Sequence, residues 1–518
     1  MGGLATHPRL LALLVGALAA TGFAPLHWWP LTLASFALLL WLLEQPAPNP
    51  KSHPLRHAFT LGWLFGVGHF TVGNNWIAHA FTFQDAMPHW LGIFAVLALS
   101  LYLAVYPGLA ALGLVWARSR WPALPAVPLF AALWLLTEMG RATIFTGFAW
   151  NPLGVIWLDT GIEHAATLIG TYGLGALAVL AAGSLLALAR RHWLAAGSAL
   201  FPVLLAAALG QWTSPAPRAA TGTAITVVQP NIGQDEKYEE QAEERHFAKL
   251  GGLTGTPSTR PRLIFWPEAA IPAWLDMEPE WRHRVAGLLG PHDLLMTGGA
   301  KVYFKEKRKG FYADRTLIGA NNSAWVLTPD ARLIARYDKA HLVPYGEYLP
   351  MRALLQPLGL SRLVPGDADF WPGPGPRSLL LPGVAGRPSL KMGVQICYEI
   401  IFSGEVVHRA NRPDFLYNPS NDAWFGDWGP PQHLAQARLR AVEEAMPIIR
   451  STPTGISAVI DARGRLLAGI PLHRPGAING ALPPAAPPTL FAQLGNLLPL
   501  LLALSLVGFA IVSARRSR

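Results

Sequence analysis

Apolar residues fall along this chain in two regimes. Over roughly the first 212 positions, and again over 490–513, they gather in runs of about 20, the length a helix needs to cross a hydrocarbon core of about 30 Å. Runs at 8–25, 27–44, 57–80, 89–116, 123–141, 162–189, 193–212 and 490–513 predict eight transmembrane helices, the first two joined by a tight turn between Pro25 and Pro30. The opening run has the outline of a secretory signal, but further runs follow at once, and it reads as the first span.

The stretch between follows another rule. Short β-branched runs lie at 224–228, 262–266, 293–297, 391–396 and 414–417, several of them apolar on both faces, as buried sheet strands are. Two hairpins are signalled: 324–327 turns through Thr328, Pro329 and Asp330 into 332–337, and 457–460 turns through 461–464 into 465–468. A helical pattern over 429–446 stops at Pro447. The pattern divides the chain into a membrane region of seven helices (1–212), a layered α/β domain with a mixed sheet (213–489), and a closing helix with a short tail (490–518).

Charge adds an orientation. Arg9, then Lys51 and Arg56, Arg118 and Arg120, Arg190 and Arg191, and Arg515, Arg516 and Arg518 fall on alternate connections, which marks those ends as cytoplasmic and turns the domain outward. The same reading accounts for the net charge of +10 without nucleic acid as a partner. A composition 52% hydrophobic and 14% charged suits a membrane protein. Trp28, Trp29, Trp76, Trp90 and Trp150 lie near predicted outer boundaries and read as interfacial anchors; Glu138 and Arg141, one helical turn apart, read as a mutual pair or as a headgroup contact.

One cysteine, Cys397, excludes an intramolecular disulfide and a Cys/His metal cluster, and no dinucleotide fingerprint is present; no cofactor is expected. Three segments set functional groups just after predicted strands: Glu268 in 265–270, Lys339 in 337–348, and Cys397 in 395–399. A thiol attacks a carbonyl as thiolate and needs a base, which Glu268 supplies; the oxyanion that follows needs donors, for which Lys339 and the N–H of Tyr398 are candidates. Each residue alone has a plainer reading: Cys397 a small buried hydrophobe, Glu268 a surface carboxylate, Lys339 a partner of Asp338. His341 and His433 read as isolated structural histidines.

Taken together, the order Glu268, Lys339, Cys397 resembles the Glu-Lys-Cys triad of the carbon-nitrogen hydrolase (nitrilase) superfamily over 225–478. With seven helices before the domain, one after it, and the strings 341–348 and 397–399, the chain resembles the bacterial apolipoprotein N-acyltransferase family. That resemblance implies an αββα sandwich on the periplasmic face of the inner membrane and a ping-pong acyl transfer through a Cys397 thioester. The donor would be a phospholipid, commonly phosphatidylethanolamine, giving up its sn-1 chain. The acceptor would be the α-amine of the diacylglyceryl cysteine that begins an apolipoprotein. It also implies supporting roles for Glu347, Tyr398 and Glu399 and an aromatic gate at Tyr238. Trp424, in a glycine-hinged apolar segment at 424–428, is a second gate candidate or ordinary packing; the basic loop 301–309 is a headgroup contact or a solvated hairpin. The alternatives are a membrane-tethered amidase or nitrilase acting on a small C-N substrate, and a lipid-binding protein without chemistry.

Overall fold

A computed structural model describes residues 7–46, 53–83, 87–216, 218–238, 242–306, 315–363 and 369–516. Helices occur at each of the eight predicted runs. Among the described residues four are long and apolar enough to cross a membrane: Leu91–Arg120, Ile162–Ala189, Trp193–Thr213 and Leu497–Arg516. Pro8–Gly22 and Trp29–Glu44 are shorter apolar helices, and Pro54–Gly73 and Ala126–Thr143 complete the set. Pro8, Pro30 and Pro54 stand in the first turns of their helices, where the missing N–H has no helical partner to lose. Pro107 has the opposite effect: it cannot donate to Leu103, and the stretch divides into Leu91–Leu103 and Val105–Arg120.

Among the described residues the domain holds twelve strands in two six-stranded sheets. The first contains β1 (Ala224–Gln229), β2 (Arg262–Phe265), β3 (Leu294–Glu306), β4 (Arg315–Leu327), β5 (Leu333–Asp338) and β12 (Gly476–Ala481), in the order β12-β1-β2-β3-β4-β5. The second contains β6 (Ser378–Leu381), β7 (Leu390–Val394), β8 (Phe415–Pro419), β9 (Ile448–Ser451), β10 (Ser457–Ile460) and β11 (Leu466–Ile470), in the order β11-β10-β9-β8-β7-β6. Strands β1, β2 and β3 pair in parallel, as do β7, β8 and β9, and antiparallel strands flank each set. Both predicted hairpins are present, as β4-β5 and β10-β11.

Alternation decides what each face covers. Val227, Phe265 and Met296 point into a core shared with Val394, Phe415 and Tyr417 of the other sheet, where Phe265 meets the Phe415 ring at 5.9 Å. Val228, Ile264 and Leu295 point outward, under the helices Glu243–Thr254 and Pro279–Ala286. On the second sheet, helix Gly429–Glu444 lies between β9 and the membrane helix Ala166–Ala189. The sheet core and the helical bundle form one continuous apolar cluster.

This junction revises the reading of two tryptophans and buries the pair Glu138 and Arg141. Trp28 and Trp90 are exposed as anchors would be, but Trp76 and Trp150 are only 8% and 1% exposed. They pack on Phe425, at 4.7 and 5.5 Å, because the domain covers that end of the bundle. Glu138 and Arg141 are also buried. Arg141 donates to the carbonyls of Phe148 (2.8 Å) and Trp150 (2.9 Å), and Glu138 accepts the N–H of Leu153 (2.8 Å). The two form the mutual pair, 3.7 Å apart, and fasten the loop beneath the domain.

Candidate active site

Three strand ends converge. Glu268 follows β2 and is held by its neighbour β3: the N–H of Gly298 donates to Pro267 O (3.2 Å). A Cβ at position 298 would stand 2.6 Å from both Glu268 Cα and Ala269 N, so glycine is what permits the approach. Lys339 follows β5, its N–H bound to Asn322 O on β4 (2.8 Å). Cys397 lies past β7 with φ +51°, a left-handed backbone that side chains other than glycine rarely adopt and that is a mark of functional positions.

The side chains are buried and bonded to one another. Lys339 Nζ lies 2.9 Å from Glu347 Oε2 and 4.0 Å from Glu268 Oε1. Asn322 Nδ2 donates to both carboxylates, to Glu268 Oε1 at 2.6 Å and Glu347 Oε1 at 2.8 Å. The alternative partner of Lys339 is excluded, since Asp338 pairs with Arg336 and accepts from Ser323. Burial alone would lower the pKa of Lys339, but Glu347, Glu268 and the Cys397 sulfur raise it above the ordinary lysine value. Burial raises Glu268 above the usual carboxylate range against the opposing pull of Lys339. The thiol of Cys397 is also raised, by burial and then by Glu268, while Lys339 acts to lower it.

Glu399 joins two of these strand ends. Its Oε1 accepts from Tyr337 Oη (2.8 Å) and from the N–H groups of Ala340 (2.8 Å) and His341 (3.2 Å), beside Lys339; its Oε2 accepts from Ile396 N–H (2.7 Å), beside Cys397. Tyr398 points away, its phenol donating to Gly147 O of the membrane region (3.3 Å). Trp424 is half-buried, its ring 5.6 Å from Phe83, and Phe425 is buried, so segment 424–428 is packed onto the bundle. The side chain of Tyr238 and residues 307–309 of the basic loop lie outside the described residues; Lys301, at the start of that loop, pairs with Asp276.

Residues 15–184 match the family model of the apolipoprotein N-acyltransferase N-terminal domain, and 224–485 match that of carbon-nitrogen hydrolases. An apolipoprotein N-acyltransferase of Allorhizobium ampelinum is 36% identical, covering 92% of this chain and 90% of the relative. Those of Caulobacter vibrioides (35% identical; 98% and 94%) and Rhodopseudomonas palustris (32%; 98% and 95%) align over nearly the full length. The chain belongs to the apolipoprotein N-acyltransferase family. As an apolipoprotein N-acyltransferase it is a membrane enzyme with an extracytoplasmic nitrilase-like domain, and its chemistry is acyl transfer.

Sequence reasoning left two parts of this acyltransferase's site unseen. Asn322, within the polar string 321–323, gave no sign that it bridges two carboxylates. His433 is not isolated: its Nε2 bonds Cys397 O (3.0 Å), and its Nδ1 lies 3.1 Å from Arg450 Nη2 and 3.0 Å from Asp422 Oδ1. Arg450 pairs with Asp422 at 2.5 Å, all three residues being fully buried. Against Trp150 of the membrane region, the imidazole ring lies 5.3 Å away.

Proposed function

We propose that Cys397 carries an acyl chain as a thioester between two half-reactions. In the first, Glu268 takes the thiol proton as the sulfur attacks the sn-1 ester carbon of a phospholipid, phosphatidylethanolamine in the simplest case. The oxyanion is met by the Lys339 ammonium and the N–H of Tyr398, and the C–O bond breaks to release a lysophospholipid that receives the proton from Glu268. In the second, the α-amine of a diacylglyceryl cysteine attacks the thioester, Glu268 takes its proton, and the triacylated lipoprotein leaves. Alternating donor and acceptor on one nucleophile is ping-pong kinetics.

The observation that carries this reading is the placement of Lys339 Nζ between Glu347 at 2.9 Å and Glu268 at 4.0 Å. Two carboxylates keep the amine protonated where burial would strip it, so a fixed cation is ready when negative charge develops on the substrate. Glu347 orients Lys339, and Glu399 aligns the lysine and cysteine loops. We assign all eight helices to membrane crossings, with 1–212 and 490–518 as the membrane parts and 213–489 on the periplasmic side of the inner membrane. The substrates favour this, because both are lipid-anchored and reach a site only beside the bilayer. Trp424, half-buried at the junction, and Tyr238 are assigned to the gate.

The test is intact-mass spectrometry of detergent-purified protein after exposure to phosphatidylethanolamine. A fatty-acyl adduct on Cys397, absent in Cys397→Ala and discharged by a diacylglyceryl lipopeptide, is the expected result. Release of ammonia from small amides with no adduct would establish the tethered amidase instead.

A further inference from the structure

The two oxygens of Glu268 have different surroundings. Oε1 accepts from Asn322 and faces Lys339, whereas Oε2 is buried without a hydrogen-bond partner, on a residue only 7% exposed. Asn421, also 7% exposed, has the same asymmetry: Nδ2 donates to Gln234 Oε1 (2.9 Å), and Oδ1 is buried with no partner. Both residues line one cavity of about 30 Å³, together with Gln234, Lys237 and His246. That volume is about the share of one water molecule in the liquid. Buried acceptors without donors are rare in folded proteins and call for an occupant that supplies N–H or O–H groups.

Position narrows the occupant. Asn421 adjoins Asp422, whose carboxylate meets the same His433 imidazole that bonds Cys397 O, so the cavity joins Glu268 to the loop beside the nucleophile. Lys237 argues against a metal cation there, and the two acceptor oxygens argue against an anion. A primary amine fits: it is small, it carries the donors both oxygens lack, and it is the nucleophile of the second half-reaction. We infer, resting on the acyl-transfer reading above, that this cavity seats the α-amine of the acceptor, Glu268 Oε2 taking one proton while Asn421 Oδ1 accepts a second N–H and turns the nitrogen lone pair toward the thioester.

The step balances. The nitrogen forms the C–N bond to the acyl carbon and Glu268 receives its proton; the tetrahedral intermediate collapses by breaking the C–S bond, whose electron pair returns to sulfur; Glu268 then reprotonates the thiolate. Lys237 shares the cavity and sets a like charge beside an amine that enters as ammonium, opposing the hold of Glu268 on that form. Asn421 is therefore a positioning residue for the acceptor and has no part in cleaving the phospholipid.

The test separates the half-reactions in the full-length enzyme. After loading with phosphatidylethanolamine, a synthetic diacylglyceryl-cysteinyl peptide with a free α-amine is added and loss of the adduct is followed by intact mass. In Asn421→Ala, discharge is expected to slow by about 10- to 100-fold, the worth of one buried hydrogen bond in a transition state, and KM for the peptide to rise. Loading is slowed far less, so adduct accumulates. Asn421→Asp keeps an acceptor oxygen and restores discharge to within a few-fold. Discharge of Asn421→Ala at the wild-type rate, or equal slowing of loading and discharge, overturns the inference. Should the alanine variant not fold, Asn421→Leu fills the same volume without an acceptor and is read in the same way. If wild-type protein never loads Cys397, the acyl-transfer reading itself fails, and that is seen before any peptide is added.

Discussion

The imidazole of His433 donates through Nε2 to the backbone carbonyl of Cys397 at 3.0 Å, and so holds from behind the residue whose backbone stands at φ +51°. A carbonyl only accepts, so Nε2 carries the hydrogen. Burial, and then Arg450, lower the pKa of His433, while Asp422 Oδ1, 3.0 Å from Nδ1, acts to raise it. A left-handed conformation costs a residue with a side chain about 1–2 kcal/mol. His433→Ala removes the bond that fixes it and leaves a void beside the buried Arg450–Asp422 pair. We expect a loss of about 2–4 kcal/mol of stability and a 10- to 100-fold slower acylation of Cys397. Thermal unfolding in detergent and adduct formation by mass spectrometry read the two separately, and an unchanged acylation rate would disprove the link.

Glu399 makes the enzyme pH-sensitive in a direction that can be worked out. Burial raises its carboxyl to about 7, although Ile396 N–H, Lys339 and the other donors lower it. Only the ionised form accepts all four hydrogen bonds from the lysine and cysteine loops, so activity falls as pH drops through about 7. Stability moves the other way. The folded value lies above the ordinary 4.5, folding takes up a proton between the two, and the contribution grows as pH falls from 7 toward 4.5, by about 3 kcal/mol for a shift of that size. Glu399→Gln mimics the protonated state: a rate about 10- to 100-fold lower, with the acid limb near pH 7 gone from the pH-rate profile. A limb that persists in the glutamine variant belongs to another group.

Asn322 keeps Glu268 usable as a base. Its amide donates to Glu268 and Glu347 at once, stabilising the charged form of two carboxylates that repel each other across Lys339. Asn322→Ala removes that support, and burial then raises Glu268 further. The expected outcome is a 10- to 100-fold lower kcat/KM at neutral pH, with recovery as pH rises because the base is deprotonated again. A deficit independent of pH would place the role of Asn322 in packing alone.

How much of this was legible follows from which interactions are local. Glu268 and Cys397 stood out because each lies directly after a run apolar on both faces, a pattern that marks a central strand and its active end, whereas Lys339 follows β5, the second strand of a legible hairpin at the edge of its sheet. The strands missed are edge or interrupted ones. β6 is a four-residue edge strand, β12 is the glycine-containing edge of its sheet, and β9 is hidden behind Pro447. The first half of β4 carries the polar string 321–323, which reads as loop until its pairing with β3 is seen. His433 looked isolated because Asp422, Arg450 and the carbonyl of Cys397 come from other segments. Trp76 and Trp150 looked like anchors because sequence shows where a helix ends but not what covers the end.

The domain's attachment to the bundle provides the last prediction. Membrane helix Ala166–Ala189 breaks at Gly170, at φ +65°, and the break frees the N–H of Thr171. Glu443 Oε1 accepts that N–H at 2.7 Å, the Thr171 hydroxyl at 2.6 Å and the Ser403 hydroxyl at 2.7 Å. Its Oε2 pairs with Arg440 Nε at 2.7 Å, and Arg440 in turn donates to Ile401 O in the helical turn that begins at Cys397. One carboxylate thus ties a membrane helix to the nucleophile's own turn. Glu443→Ala leaves the Arg440 guanidinium buried without a counter-charge, which costs about 3–5 kcal/mol. Glu443→Gln keeps an acceptor for Thr171 while losing the charge, and should fall between alanine and wild type. Thermal midpoints of the three proteins in one detergent give the order. If alanine and glutamine are equally destabilised, the ion pair with Arg440 and not the bond to Thr171 holds the junction.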